Sequence, residues 1–182
     1  IRRQRQMCIR DRTENIKSAV DAGFSMLYLR DVVSGATINQ NCFEISYVVR
    51  TDNAPNGWHG VGFALGDRTT IPNQNGIQAF VQEEAMKATV WGSGKSGVSG
   101  PYEIDSSYTR NEWNVIRVKV FGSGNEFRIQ LFVNDMDTPV VEKDASAIPA
   151  EEIALFTTTV VTIKDVYYAQ LNAQGERITV VY

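Results

Sequence analysis

Two cysteines, one histidine, five prolines and no apolar run of membrane-spanning length set the first limits on this 182-residue chain. Cys8 and Cys42 are the only thiols, and Cys8 falls in an aberrant terminal segment, so no internal disulfide is expected and a disulfide-stapled scaffold is excluded. Export itself is not excluded by this, because secreted bacterial proteins can lack disulfides. His59 is the sole histidine, which leaves neither a histidine metal cluster nor an evident serine triad. Cys42 has no neighbouring base in sequence and reads as a small buried hydrophobe. No stretch approaches the roughly 20 apolar residues of a spanning helix. Gly94-Lys95-Ser96 resembles the end of a phosphate loop, but Thr89 stands where the earlier glycine is required and no helix follows.

Positive charge is scarce once the first twelve residues are set aside. Residues 1–12 hold five Arg against one Asp; without them 13 basic and 20 acidic residues remain, a balance near -7. Such a body repels a phosphate backbone, so nucleic acid is not expected as a partner. The Arg-rich segment has no periodic apolar face and resembles the translated adapter tails of metagenomic reading frames. It is read as a non-native or disordered tail and kept out of fold reasoning. Residues 13–23 form a lead-in with a weak helical pattern at Glu14, Ile16, Lys17, Val20 and Asp21, and residues 24–182 are expected to form one domain, a possible fragment of a larger protein.

What the chain has in abundance is alternation. In Asn111–Asn134, Ile116, Val118 and Val120 alternate with Arg117 and Lys119; Gly122–Asn125 turns the chain; Phe127, Ile129, Leu131 and Val133 alternate with Arg128 and Gln130. Phe43–Arg50 repeats the pattern, WHGVGFALGD reads as a strand whose glycines mark close backbone approach or a bulge, and IQAFVQEEA and KATVWGSG read as two strands across a short turn. The closing IALFTTTVVTIKDVYYAQL is strongly β in composition. Ten or more short strands without a long helix or repeat predict an all-β, two-sheet antiparallel sandwich or jelly roll.

The order FEISYVVRTD, GVGFALGD, NEWNVIRVKV, turn, FRIQLFVND and the closing β segment resembles the concanavalin A-like lectin/glucanase superfamily, in particular its laminin-G-like and glycoside-hydrolase-associated members. Trp113, Asn134 and residues 153–171 carry the match, and Trp113 is expected in the core. The resemblance implies an extracellular, periplasmic or cell-surface setting, a polysaccharide or oligosaccharide partner, and neighbouring domains of a longer chain.

Three functional classes follow. A noncatalytic carbohydrate-binding or accessory module of an exported bacterial protein needs aromatic plates and planar polar groups, which Arg50, Trp58, His59, Gln78, Gln82, Trp91 and Tyr102 supply, with Tyr108, Asp67 and Arg68 also counted among loops and wet faces. The alternative is a glycoside hydrolase or lyase, for which Glu103 and Asp105 are the carboxyl candidates, although Ser107 and Tyr108 stand where a second catalytic Glu would fall. The third is a laminin-G-like domain gripping protein through an exposed apolar patch. No cofactor is expected; calcium is the one ion considered, through Asn134, Asp135 and Asp137, whose spacing fits no EF-hand.

Overall fold

The computed structural model describes residues 16–17, 25–28, 41–51, 57–63, 76–83, 85–92, 98, 104–148 and 153–178. They form twelve strands: β1 (Ile16–Lys17), β2 (Ser25–Tyr28), β3 (Phe43–Thr51), β4 (Trp58–Phe63), β5 (Ile77–Gln82), β6 (Lys87–Gly92), β7 (Ile104–Asp105), β8 (Asn114–Ser123), β9 (Glu126–Val133), β10 (Val141–Ala145), β11 (Ile153–Thr157) and β12 (Val161–Gln170). One sheet has the order β1-β12-β3-β8-β9-β10, the other β2-β11-β4-β5-β6-β7, and every pairing is antiparallel. The two-sheet antiparallel sandwich read from the sequence is the observed architecture.

The alternating side chains explain the layering. Phe43, Ile45, Tyr47 and Val49 of β3 point inward with Ile116, Val118 and Val120 of β8 and Ile129, Leu131 and Val133 of β9. They meet Ile77, Ala79 and Val81 of β5, Ala88 and Val90 of β6, and Ile153 and Leu155 of β11 from the other sheet. The β8–β9 hairpin closes through a two-residue turn whose first residue, Gly124, has φ 61°, the left-handed backbone such turns favour. Gly122 lies within β8 at φ 140°, and a Cβ there would fall 2.1 Å from the Glu126 carbonyl oxygen. Cys42 is buried, its Sγ donating to the Gly122 carbonyl at 3.3 Å.

Three expectations are corrected, and the closing β segment divides in two. The weak helical pattern in the lead-in gives way at Ile16–Lys17 to a strand paired with β12, so the sandwich begins before residue 24. The closing β segment is two strands, one in each sheet; the chain turns the corner at 158–160, where the Thr157 side chain accepts from Thr159 N and donates to Thr159 O. Trp113 is not in the core but 38% exposed on the outer face of the first sheet, under Arg50 (4.8 Å) and Lys164 (4.0 Å). Tyr108 is not wet but buried between the sheets. Trp113 immediately precedes β8 at a position whose parity points outward, whereas Tyr108 trades solvent for a hydroxyl partner in Thr51 at 3.1 Å.

Candidate functional site

Residues directly opposite in an antiparallel pair share a face, so register alone assembles the outer face of the second sheet. One row runs Trp58–Gln82–Lys87–Asp105 across β4 to β7; the next runs Phe156–Gly60–Phe80–Thr89 across β11 to β6; a third joins Gly62, Gln78 and Trp91. Trp58 and Trp91 stand two strands and four residues apart, which places their Cα atoms about 16 Å apart at ordinary strand spacing and rise.

Gly60 makes the aromatic centre of this face possible. Its strand partners on either side are Phe80 and Phe156, whose rings meet edge to face at 6.2 Å, and a Cβ on Gly60 would lie 2.5 Å from the Phe80 Cβ. Trp58, 37% exposed, stacks on Phe80 at 5.5 Å and 29°. The result is an apolar plate with one open indole at its edge.

Beside the plate lie polar groups with unused hydrogen-bonding capacity. Gln78 and Thr89 are diagonal neighbours on β5 and β6, exposed by only 2% and 1%, and neither Gln78 Nε2 nor Thr89 Oγ1 has a hydrogen-bond partner. Buried amides and hydroxyls are nearly always paired, so these two covered groups call for a partner, whether a water or a polar ligand atom, beneath the face. Gln82 is half-buried, and Lys87 and Asp105 bring opposite charges into register at the end of the Trp58 row.

The remaining sequence candidates separate. His59 lies on the same strand as Trp58 but faces the core, 0% exposed between Tyr47 (6.5 Å) and Tyr108 (5.2 Å). Burial pushes its imidazole down to about pKa 3, so it stays neutral and does not join the aromatic face. Arg50 sits on the outer face of the opposite sheet over Trp113, away from Trp58 and Trp91. Asp105 is on the candidate face, whereas Tyr102, Glu103, Asp67 and Arg68 lie outside the described residues.

The calcium candidates serve the backbone. Asn134, at φ 61°, accepts from Val115 N through Oδ1 and donates through Nδ2 to the Ser107 carbonyl and to Asn114 Oδ1. Asp135 Oδ1 accepts from Asp137 N and Thr138 N, which holds its carboxyl below the usual range. Asp137 is exposed, and no group of three or more His, Cys, Asp or Glu residues able to hold a metal occurs among the described residues.

Sequence reasoning missed Phe80, Thr89 and Phe156. The first was within reach: the period-two alternation of IQAFVQ already puts Gln78, Phe80 and Gln82 on one face. Thr89 and Phe156 needed the cross-strand register, which no local pattern supplies.

No family model matches the sequence, and no curated protein matches it. Among solved structures, a carbohydrate-binding module of Bacillus subtilis, CBM66, is similar over 88% of this chain and 92% of its own at TM-score 0.58 and 13% identity. A Caenorhabditis elegans galectin matches at TM-score 0.56 and 8% identity over 86% and 96%. Sheep galectin-11, solved in complex with glycerol, matches at TM-score 0.51 and 12% identity over 83% and 99%. The likeness is one of fold alone: the chain shares its two-sheet antiparallel jelly roll with these structures.

Proposed function

We propose that the chain is a noncatalytic carbohydrate-binding or accessory module, carried by an exported bacterial protein that acts on polysaccharide outside the cytoplasm. The observation that carries this reading is the gathering of Trp58, Trp91, Gln78 and Gln82 on one sheet face, with the Gln78 amide nitrogen and the Thr89 hydroxyl unpartnered between them. Indole and phenyl plates match the apolar CH face of a sugar ring, and amide and hydroxyl groups match its hydroxyls. Two tryptophans whose Cα atoms stand about 16 Å apart on one face suit an extended chain better than a single monosaccharide.

A catalytic reading needs two carboxyl groups about 5–5.5 Å apart for retention. Asp105 is the carboxylate that the described part of this face presents, so the enzyme enters as an outcome of the test. Affinity electrophoresis against plant, algal and host polysaccharides, with reducing-sugar release measured in parallel and repeated in EGTA, separates the readings. Retardation without release, lost in Trp58→Ala and Trp91→Ala, is expected. Release of reducing ends that Asp105→Asn abolishes would replace the module with a glycan-active enzyme, and no retardation on any glycan would favour a protein partner.

A further inference from the structure

The inner side of the strands that carry Trp58 and Gln82 holds a second polar cluster. His59 is opposite Val81 in register, and Glu83 follows two residues later on the same inward parity, which makes His59 and Glu83 diagonal neighbours. Tyr47 and Thr51 come from β3 of the facing sheet, and Tyr108 lies against the group, its hydroxyl donating to Glu83 Oε1 at 3.4 Å. Exposure is 0% for His59 and Glu83 and 1% for Tyr47 and Thr51. Yet Tyr47 Oη, His59 Nδ1, His59 Nε2 and Glu83 Oε2 have no hydrogen-bond partner. Four orphaned atoms in one dry place would cost several kcal/mol at about 1–3 kcal/mol each.

We propose that this end of the sandwich encloses two ordered water molecules bound by Tyr47, His59 and Glu83. One is too few, because the two imidazole nitrogens point from opposite edges of the ring and cannot share a single in-plane partner. A neutral imidazole offers one donor and one acceptor, a phenol offers both, and a carboxylate oxygen accepts; water complements all three, and a buried water needs two to four such partners. A divalent metal is the competing occupant of a site with an imidazole nitrogen and a carboxylate oxygen. Charge argues against it. Glu83 is the one carboxylate in the cluster, and the field of Arg110 already acts on it, so a dication would leave uncompensated positive charge in the interior.

Water-to-protein cross-relaxation spectra of the intact ¹⁵N,¹³C-labelled chain test this directly, since the one histidine makes the ring signals unambiguous. Long-lived water contacts to the His59 ring protons and to the Tyr47 side chain are expected, with those at Tyr47 weakened or shifted in His59→Phe. Ring protons that contact only protein would show the cluster to be dry and overturn the proposal. So would a His59 ¹⁵N shift and a melting temperature that respond to added Zn²⁺ and return with EDTA. The wild-type spectrum decides the matter even if the variant fails to fold.

Discussion

Lowering the pH from 7 to 5 should weaken this protein by about 2 kcal/mol through His59 alone. In the fold burial lowers the imidazole to about pKa 3, whereas the unfolded value is 6.5. Between those limits the unfolded chain takes up a proton that the native state refuses, so stability is complete above pH 6.5 and falls by about 1.4 kcal/mol per unit on the way to pH 3. The group has no solvent exposure, so screening does not discount the effect. Glu83 acts in the opposite sense, because burial raises its carboxyl and the native state holds that proton longer. A comparison with His59→Phe cancels the Glu83 contribution to first order. Urea unfolding followed by tryptophan fluorescence at pH 7, 6 and 5 should show wild type losing about 2 kcal/mol more than the variant over that range. Equal losses, or a His59 Cε1 shift that titrates near pH 6.5 in the folded protein, would refute the placement of this ring in the core.

Other side chains give equally direct tests. Asn134→Ala removes three side-chain hydrogen bonds and puts a Cβ-bearing residue without local bonding at φ 61°, a loss of about 2–3 kcal/mol in chemical denaturation; Asn134→Gly relieves the backbone and should recover about 1 kcal/mol of it. Gly60→Ala drives a Cβ to 2.2 Å from the Ala79 carbonyl oxygen and should cost about 3 kcal/mol, with an altered near-ultraviolet spectrum as Phe80 and Trp58 are displaced. Trp113→Ala should cost only about 1–2 kcal/mol, the sum of two cation–aromatic contacts at an exposed site, against the roughly 3–5 kcal/mol of a core tryptophan.

The strands were legible because β alternation is a local signal. Ile116, Val118 and Val120 against Arg117 and Lys119 state which side is dry without reference to any partner, and the structure buries those three. Parity also predicts that Trp58 and Gln82 face away from His59 and Val81, which is how Trp58 joins the candidate face while His59 leaves it. Assigning neighbours needed more than parity. Arg50 and Trp58 are eight residues apart in sequence yet lie on opposite sheets, because the chain crosses the sandwich between β3 and β4. Trp113 misled because a large aromatic next to a strand is a common core residue, and only the two cations over its ring explain how it stays half in solvent.

The three tryptophans provide the most direct test of the central claim, since two lie on the candidate face and the third on the opposite sheet. Titrating the ¹⁵N-labelled chain with oligosaccharides cut from whichever polysaccharide retards it, and following the three indole N–H signals, reports the occupied face. The account predicts saturable shifts at Trp58 and Trp91 with Trp113 unmoved. Shifts at Trp113 with Trp58 and Trp91 unmoved would place any glycan on the other sheet and contradict it.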